Sequence, residues 1–419
     1  MQRLLVCSLI FYASAVLFLY SRRRGDPTSW FFNPDTAYKP NYSSFRRQQA
    51  LDYLRTGTLH HGRFDNATSD LTICVGVPSF FRKGSSYLPS AVGSLLAGLG
   101  PEERQRLYLA PLIAHADPHV HPVYAESWLA DVSDQVLIYT KEVPEYETIQ
   151  HWEQNLMFRQ KALFDYVYLL KQCSMIGTDY IAVLEDDIIA MDGWFHRTMD
   201  ALHTIRSQHD ESSTLYLRLF FTEEFLGWNS ENWLTYLSMS LVAAALVAGL
   251  LYISRGLTKA HRHLTNNFIL VMTFVYLPLL ILLLFASGTG VIRTMHSSTS
   301  GVNLMNKFGC CGQGLVFSHA RAQEMIPFYE SKGFGFVDMM TEEYADEKGY
   351  QRWAVTPSVL QHVGSITSKV GVDAEEAQVK GGKRELTIAE KMWNFEFEKY
   401  DPDMLRTEHE ARLNTRTFS

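Results

Sequence analysis

Three consecutive carboxylates follow a short apolar segment near the middle of the chain. Residues 180–184 (YIAVL) predict a buried β-strand, and Glu185, Asp186 and Asp187 come directly after it. Adjacent carboxylates at the end of a buried strand repel one another and lose hydration, so they need a compensating positive charge. Carboxylate oxygens are hard ligands that suit Mn²⁺ or Mg²⁺. The triplet therefore predicts a divalent-metal site; a solvated acidic turn is the alternative.

Predicted strands and helices alternate on both sides of this triplet. Apolar runs with β-branched residues predict strands over residues 71–77, 107–114, 135–139, 180–184, 215–221, 315–319 and 353–363. Helices are predicted over residues 44–54, 87–99, 120–130, 152–173, 193–207 and 320–330, with another opening at 335–340. This alternation predicts an α/β domain with a largely parallel sheet, in which ligands bind beyond the carboxyl ends of the strands.

The composition bounds the class of protein. The chain has 419 residues, of which 47% are hydrophobic and 20% are charged. This balance suits a folded protein with membrane segments. The net charge of −7 and the lack of a long basic segment in the folded part give no support for nucleic-acid binding.

Three apolar stretches predict membrane helices. Residues 4–20 predict an uncleaved anchor. A cleavable signal peptide is the alternative, but Ala13-Ser14-Ala15, which resembles a cleavage site, lies inside the apolar run rather than after it. Residues 233–253 and 268–286 would each span about 30 Å as helices, the thickness of a hydrocarbon core. Together they predict a transmembrane hairpin inserted into the α/β pattern.

Charges and sequons predict the orientation of this hairpin. Because the loop between the two long spans is basic, we expect it in the cytosol and both flanks of the hairpin in the lumen. Sequons at Asn41 and Asn66 agree with a lumenal domain. The arginines at residues 22–24 are then an exception to the positive-inside rule. The chain thus divides into an anchor (1–24), a stem (25–70), an α/β domain in two parts (71–231 and 288–370), the hairpin (232–287) and a C-terminal segment (371–419).

None of the five cysteines has the spacing of a zinc site. Cys7 lies in an apolar segment, which leaves four that can pair. A lumenal bridge from Cys310 or Cys311 to Cys74 or Cys173 is expected, with the connectivity left open.

Several short motifs, taken in order, resemble a known enzyme group. They are similar to the N-acetylglucosaminyltransferase IV group of GT-A glycosyltransferases, and the inserted hairpin resembles the Golgi GPI-glycan N-acetylgalactosaminyltransferase family (post-GPI-attachment-to-proteins factor 4, or transmembrane protein 246, family). The resemblance covers roughly residues 71–370. The motifs are Gly76-Val77-Pro78-Ser79 with Arg82 and Tyr87-Leu88; Arg159-Gln160-Lys161 with Asp165-Tyr166; Leu184-Glu185-Asp186-Asp187; and Pro357-Ser358-Val359-Leu360-Gln361-His362-Val363-Gly364.

The resemblance implies an α/β, GT-A-type fold with the hairpin inserted in its catalytic domain. It also implies transfer of N-acetylgalactosamine from UDP-GalNAc to a mannose of the GPI-anchor glycan, with inversion to a β linkage. The enzyme would be a multi-pass Golgi membrane protein with its catalytic domain in the lumen, in contact with membrane lipids. Mn²⁺ or Mg²⁺ would be held directly by Asp187, with Glu185 and Asp186 acting through water or the ribose.

An inverting transfer needs a base that removes the proton of the acceptor hydroxyl. Asp338, in the turn before a helix, is the first candidate; a helix N-cap is its structural alternative. Glu342 and Glu343 are further candidates, with a solvated helix face as the alternative.

Other side chains are candidates for binding the nucleotide sugar. Basic residues suit a diphosphate, and an aspartate at a strand end can accept a hydrogen bond from uracil. Each has a structural alternative: Arg159 and Lys161 as surface charges, Asp117 as part of an Asp-Pro turn, and His362 as a structural histidine on a strand. The candidates are Pro78, Ser79, Arg82, Asp117, Arg159, Lys161, Glu185, Asp186 and His362.

Two other functions remain open from the sequence. One is a UDP-GlcNAc-dependent β-N-acetylglucosaminyltransferase that acts on N-glycans. The other is a non-catalytic membrane scaffold or carrier with a lumenal domain. A carrier would be expected to place polar or ionisable residues within its spans, and this hairpin has almost none, which argues against a carrier.

Overall fold

The computed structural model describes residues 2–56, 63–68, 70–83, 85–223, 227–257, 264–290, 301–305, 311–364, 379–380, 383–384 and 386–416. The chain divides into two compact units. One, the helical unit, is formed by Met1–Lys39 and Glu223–Ser298, and the other, the sheet unit, by Pro40–Thr222 and Thr299–Ser419.

The regular elements are named in chain order. The helices are α1 (Gln2–Arg22), α2 (Pro34–Ala37), α3 (Tyr42–Thr56), α4 (Leu88–Leu96), α5 (Pro101–Gln105), α6 (Ser127–Val132), α7 (Tyr146–Gln154), α8 (Phe158–Ile176), α9 (Trp194–Gln208), α10 (Trp233–Leu257), α11 (Asn266–Val271), α12 (Leu277–Ala286), α13 (His319–Lys332), α14 (Val337–Lys348), α15 (Ile388–Lys391) and α16 (Pro402–Arg416). The strands are β1 (Ile73–Ser79), β2 (Leu107–Ile113), β3 (Tyr180–Leu184), β4 (Ile188–Ala190), β5 (Thr214–Arg218), β6 (Gly301–Leu304), β7 (Gly314–Ser318), β8 (Gln351–Thr356), β9 (Leu360–His362), β10 (Val379–Lys380) and β11 (Lys383–Arg384).

The helical unit contains two helices that are long and apolar enough to cross a membrane, Trp233–Gly256 and Asn266–Ala286. The second runs from α11 through a π-helical turn at Met272–Tyr276 into α12. Their most apolar windows are 0% and 17% buried within the protein, so most of this apolar surface is exposed, unlike that of a core helix. The helices predicted at 233–253 and 268–286 are confirmed, while the basic residues Lys259 and Arg262 lie outside the described part of the chain.

The sheet unit is built on a seven-stranded mixed sheet in the order β2-β1-β3-β7-β5-β8-β6. β1 is parallel to both β2 and β3, and β5 is parallel to β8. β7 is antiparallel to β3 and β5, and β6 is antiparallel to β8. The prediction of a largely parallel sheet was therefore wrong. β7 is buried from Gly314 to Phe317, and a fully buried strand has the same continuous apolar sequence in either direction.

Side chains of alternating strand positions enter two hydrophobic cores, one on each face of the sheet. Ile73, Val75 and Val77 of β1 pack with α4 and α9 on one face. Cys74 packs with α8 and α13 on the other face. The central strand β3 is therefore covered on both faces, as the apolar sequence of residues 180–184 predicted.

The disulfide connectivity differs from the expected one. Cys74 of β1 and Cys173 of α8 bond to each other within the second core. The expected bridge from Cys310 or Cys311 to one of them was therefore wrong. Cys311 takes part in a different disulfide, and Cys310 lies outside the described residues. The expectation failed because alternation along β1 turns Cys74 towards α8, a direction that cysteine spacing does not reveal.

Two helix predictions failed at residues that interrupt helical backbone. The helix predicted over 120–130 is two 3₁₀ turns, each starting at a proline, followed by the short α6. The helix predicted over 152–173 is split into α7 and α8 at Leu156, which has a φ of 55°.

Two strand predictions also failed in part. Residues 135–139 form only one bridge, between Leu137 and Leu112 of β2. The strand predicted over 353–363 is interrupted at Pro357, so that β8 joins the main sheet and β9 pairs with β4 in a separate ladder. A proline lacks the N–H needed to continue a ladder.

The C-terminal segment had no structure assigned from the sequence. A buried histidine on its last helix, α16, holds it to the rest of the sheet unit. His409 Nδ1 lies 2.6 Å from Asp192 Oδ1, and its Nε2 lies 2.8 Å from Glu103 Oε2. Burial alone would lower the pKa of His409, but the hydrogen bonds to these two carboxylates raise it to about 9. The charged imidazolium thus joins α16 to the loop before α9 and to α5.

This contact predicts a loss of stability at alkaline pH. Because the pKa of His409 is raised from 6.5 to about 9 on folding, its contribution is complete below pH 6.5 and is lost as pH rises through 9. We expect the free energy of unfolding to fall by about 2–3 kcal/mol across this window. Urea unfolding of the full chain followed by tryptophan fluorescence would measure it. In His409→Gln, which cannot become charged, the pH dependence should be shallower by this amount; an equal slope in both proteins would contradict the assignment.

Candidate active site

A cavity of about 440 Å³ lies where β1 and β3 end. Pro78 of β1 lines it, as do Glu185, Asp186 and Asp187, which follow β3. β7 begins at the same edge, because Gly314 pairs with Leu184. Asp338 near the start of α14 and His362 at the end of β9 also line the cavity. The fold thus gathers at one edge side chains that are far apart in sequence.

The first of the two buried aspartates, Asp186, is fully compensated by neighbouring donors. Arg82 Nη1 donates to both carboxylate oxygens of Asp186, at 2.8 and 2.9 Å. The hydroxyl of Ser79 donates to Asp186 Oδ2 at 2.5 Å. The parallel register of β1 and β3, which pairs Gly76 with Val183, explains this contact, since Ser79 and Asp186 lie three residues further along. Burial raises the pKa of Asp186 to about 6, although Arg82 opposes the shift.

Asp187, by contrast, keeps one oxygen without a hydrogen bond. Its Oδ2 lies 3.5 Å from His362 Nε2 and 3.7 Å from Arg82 Nη2. Its Oδ1 is buried and has no hydrogen-bond partner among the described residues. Burial opposes ionisation of Asp187, but the neighbouring His362 outweighs it, so the pKa of Asp187 lies below its usual value. Asp187 is therefore an ionised carboxylate with a free coordination position.

The antiparallel ladder of β4 and β9 explains the position of His362. β4 begins directly after Asp187, and Ile188 pairs with His362. The next residue, Val363, donates its N–H to the Asp187 carbonyl at 2.8 Å. Burial lowers the pKa of His362, but the charge of Asp187 more than offsets this, so the pKa of His362 lies above 6.5.

The residues present fit a divalent cation. Glu185, Asp187 and His362 each offer one ligand atom, and these three atoms lie within 4.8 Å of one another. Carboxylate oxygens with one imidazole nitrogen are a donor set that Mn²⁺ accepts. The unpartnered Asp187 Oδ1 is the strongest single observation for such an ion, because a buried carboxylate oxygen without a donor is costly. Glu185 is the most exposed of the three side chains.

Asp338 lines the same cavity from the first turn of α14. Its Oδ1 accepts the N–H of Met339 at 2.9 Å, and its Oδ2 accepts the N–H of Cys311 at 3.3 Å. The residue before the helix is Phe336, so Asp338 is not the N-cap that the sequence offered as its alternative role. Phe336 also lies under the guanidinium of Arg159, with 4.7 Å between the charge and the ring centroid. Arg159 is another lining residue and is exposed.

Five of the candidate residues are not part of this lining. Ser79 lies behind it, in contact with Asp186, and the other four are Asp117, Lys161, Glu342 and Glu343. Lys161 is buried, where it donates to the Ala114 carbonyl at 2.8 Å and pairs with Asp165 at 2.9 Å. Asp117 is exposed and caps a 3₁₀ turn by accepting the N–H of His119 at 3.1 Å. These contacts give Lys161 and Asp117 structural roles.

Glu342 and Glu343 are likewise held by other partners. Glu342 accepts from Arg218 Nη2 at 2.9 Å and pairs with Arg352 Nε at 2.6 Å. Glu343 is exposed and pairs with Lys332 at 3.0 Å. Of the three carboxylates considered as a base, only Asp338 lines the cavity that contains the acidic triplet.

Three further residues shape the site, and none of them was predicted from the sequence. Gln313 Nε2 contacts Glu185 Oε2 at 3.4 Å, Gly364 packs against the Asp187 carboxylate, and His121 contacts Ser79. Gly364 ends a motif that the resemblance quoted, which could have indicated it. No signal in the sequence marks His121, because its partner Ser79 lies 42 residues away, at the end of β1.

A second cavity, of about 630 Å³, lies on a different face of α8 and is larger. Trp152, Phe164 and Tyr168 line it. The acidic triplet, His362 and Asp338 do not contribute to its described lining. Since it lacks the converging carboxylates, size alone does not make it the active site, and we assign the site to the smaller cavity.

Comparison with known proteins gives one family and a set of distant relatives. A family model described as "GPI-N-acetylgalactosamine transferase PGAP4" matches residues 82–361. Mouse alpha-1,3-mannosyl-glycoprotein 4-beta-N-acetylglucosaminyltransferase B is 26% identical over 140 residues, which are 30% of this chain and 25% of that protein. The A enzyme of the same name from Macaca fascicularis is 29% identical over 143 residues, 31% of this chain and 26% of that protein. The chain thus spans about a quarter of the length of these curated relatives.

The packing of Gly364 against Asp187 predicts a local effect on metal binding. A Cβ at residue 364 would lie 2.1 Å from Asp187 Oδ2, so Gly364→Ala must displace that carboxylate. At Gly312, which lines the same cavity, a Cβ would meet only the Asp338 Cβ, at 3.9 Å. We expect Gly364→Ala to weaken Mn²⁺ binding about tenfold or more, a cost of about 1.4 kcal/mol. Gly312→Ala should bind Mn²⁺ as the unaltered chain does.

Titration of Mn²⁺ into the full-length protein, followed by electron paramagnetic resonance, would measure both affinities. Thermal unfolding of each variant is the control for the fold. Equal affinities for Mn²⁺ in the two alanine variants would show that the Asp187 carboxylate does not bind the ion.

Proposed function

The chain belongs to the GPI-N-acetylgalactosamine transferase PGAP4 family, and we propose that it is an inverting, metal-assisted glycosyltransferase with a GT-A-type catalytic domain. It transfers N-acetylgalactosamine from UDP-GalNAc to a mannose of the GPI-anchor glycan and forms a β linkage. The observation that carries this proposal is the convergence of Glu185, Asp187 and His362 on one point of the cavity that Asp338 also lines.

On the donor side, the side chains around β3 bind the nucleotide diphosphate. Asp187 is the direct ligand of Mn²⁺ or Mg²⁺, and Glu185 and His362 complete the protein's share of the coordination. The bound cation would neutralise the negative charge that develops on the diphosphate as the glycosidic bond breaks. Arg159, which is exposed and stacked on Phe336, is free to reach the diphosphate oxygens. Arg82 acts mainly by orienting Asp186.

On the acceptor side, Asp338 is the general base. Inversion requires one displacement, in which the acceptor oxygen bonds to the anomeric carbon as the oxygen of UDP leaves. Asp338 accepts the proton of the acceptor hydroxyl. Its two backbone hydrogen bonds, from Met339 and Cys311, hold the carboxylate in place and leave lone pairs for the substrate.

A second candidate function is transfer of N-acetylglucosamine from UDP-GlcNAc to N-glycans. The similarity to enzymes named 4-beta-N-acetylglucosaminyltransferases favours it. The two donors differ only in the orientation of the hydroxyl at carbon 4, which the described contacts do not discriminate. A non-catalytic scaffold is disfavoured, because it gives no reason for a buried Asp187 Oδ1 without a donor, which costs stability.

A pair of variants separates donor binding from chemistry. Asp187→Asn should weaken Mn²⁺-dependent UDP binding at least about tenfold, because the metal loses its charged ligand. Asp338→Asn should retain UDP binding and lower the rate of transfer by about 10²–10⁴-fold, the usual contribution of a general base. Calorimetry would measure binding, and turnover of UDP-GalNAc, UDP-GlcNAc and UDP-Gal on a GPI-type acceptor would measure the reaction.

Two outcomes of this experiment would contradict the proposal. If UDP binds equally well without a metal, or binds the Asp187→Asn variant as tightly as the unaltered protein, the assignment of a metal site at Asp187 is wrong. Faster turnover of UDP-GlcNAc on N-glycans would favour the second candidate. Glu343→Gln is the matched control for Asp338→Asn, because it also removes one carboxylate from α14 but at an exposed position. It should transfer the sugar as the unaltered protein does.

The membrane location is part of the same proposal. We propose a multi-pass Golgi protein in which α1 and the helices at Trp233–Gly256 and Asn266–Ala286 cross the bilayer. The sequon asparagines Asn41 and Asn66 are exposed in the sheet unit. In cells, both should carry glycans that an endoglycosidase removes, because the sheet unit lies in the lumen. Unglycosylated protein with a protease-sensitive sheet unit on the cytosolic side would contradict this orientation.

A further inference from the structure

A histidine lies behind the acidic triplet and contacts it through a serine. His121 Nε2 is 3.1 Å from Ser79 Oγ, which is 2.5 Å from Asp186 Oδ2. All three residues are buried, with 1–4% of their surface exposed. His121 is enclosed by the rings of Phe81 and His115, at centroid distances of 6.3 and 6.1 Å. Its contact with Ser79 is therefore shielded from water.

The donors and acceptors of this chain of contacts allow one arrangement. An ionised carboxylate only accepts, so the single proton of the Ser79 hydroxyl is donated to Asp186. The Ser79 oxygen can then only accept from His121, which requires the proton of a neutral His121 on Nε2. The other ring nitrogen, Nδ1, is buried without a hydrogen-bond partner among the residues that the structure describes. A proton there would be a buried, unsatisfied donor.

The electrostatic surroundings agree with a neutral imidazole. Burial, together with the positive charge of Arg82, lowers the pKa of His121 to about 4. The ring at its other side, His115, accepts the N–H of Phe81 at 2.9 Å and donates nothing to His121. His121 is thus a fixed neutral donor over the physiological range of pH.

The consequence reaches the proposed metal ligand through Arg82. The guanidinium of Arg82 is divided between Asp186, at 2.8 Å, and Asp187, at 3.7 Å. Ser79 holds the Asp186 carboxylate in place through its Oδ2, and Arg82 Nη1 contacts both oxygens of that carboxylate. The stronger contact of Arg82 therefore stays on Asp186. Without that hold, Asp186 can move and Arg82 can approach Asp187, where its charge would compete with a cation.

We propose that His121 is a positioning residue for the donor site: by donating to Ser79 it fixes the Asp186 carboxylate, keeps Arg82 from closing on Asp187, and thereby sets the affinity for a metal–nucleoside diphosphate. This inference rests on the proposed function, because it assumes that Asp187 binds the cation of the donor. It assigns to His121 no contact with the substrate.

Two amide variants with different reach test this role. The side-chain nitrogen of glutamine occupies the position of histidine Nε2, whereas that of asparagine occupies the position of Nδ1. His121→Gln can therefore donate to Ser79, and His121→Asn cannot. We expect His121→Asn to raise the Kd of the full-length protein for UDP in the presence of Mn²⁺ about tenfold, and His121→Gln to stay within about twofold of the unaltered protein.

A double-mutant cycle with Ser79→Ala tests whether His121 acts through the serine. Ser79→Ala alone should weaken Mn²⁺-dependent UDP binding to a similar extent, and adding His121→Asn should cause no further loss. Thermal unfolding should not distinguish His121→Gln from His121→Asn, since both introduce an amide. The exposed neighbour His119, replaced by Gln, should bind UDP normally.

Each other result decides against the inference. Equal affinities of the Gln and Asn variants, or additive losses in the double variant, would show that His121 does not act through Ser79. If the Kd for UDP across the variants changes only in step with their unfolding temperatures, His121 contributes to packing alone. If the unaltered protein binds UDP without Mn²⁺ or not at all, the proposed function fails and this inference fails with it.

Discussion

The site depends on how one arginine compensates two adjacent buried carboxylates. Arg82 binds both oxygens of Asp186 and approaches Asp187 only at 3.7 Å. Asp186 thus has a donor at each oxygen, while Asp187 keeps one buried oxygen without a donor. A buried carboxylate oxygen without a donor costs stability, although His362 and Arg82 lie near the other oxygen of Asp187. On the function proposed above, this oxygen is where the cation would bind.

The scaffold around the triplet is rigid where the chemistry needs it. β3 is covered on both faces by hydrophobic cores, and the Cys74–Cys173 disulfide joins β1 to α8 inside one of them. β4 returns directly after Asp187 and pairs with β9, so His362 is positioned by backbone hydrogen bonds rather than by a flexible loop. The buried ion pairs of His409 hold the C-terminal helix to the same unit.

Much of this arrangement could be predicted from local sequence. The buried strand over 180–184, the acidic triplet after it and the two long apolar helices are local patterns, and the structure has them where the sequence indicates. The direction of β7 could not be predicted, because a strand covered on both faces has the same apolar pattern in either orientation. The separation of β8 from β9 occurs at Pro357, which lies inside the run of residues that the sequence predicted as one strand.

Within the site, residue type predicted which side chains could act but not which partners they meet. Arg82 and Lys161 are both basic residues of the quoted motifs, yet Arg82 binds Asp186 whereas Lys161 is occupied by Asp165 on α8. Asp338 and Glu342 lie one helical turn apart, yet only Asp338 lines the cavity. Arg82 meets Asp186 through the pairing of strands that are distant in sequence, which no local spacing encodes, whereas Lys161 and Asp165 are four residues apart on one helix.

The central claim is that Asp187 binds the cation of a metal–nucleotide complex at the end of β3. A structure of the full-length protein with Mn²⁺ and UDP tests it most directly. The account predicts that the ion binds an Asp187 carboxylate oxygen, with the diphosphate in the cavity that Asp338 lines. An ion bound away from Asp187, or UDP in the larger cavity beside Trp152, would contradict it.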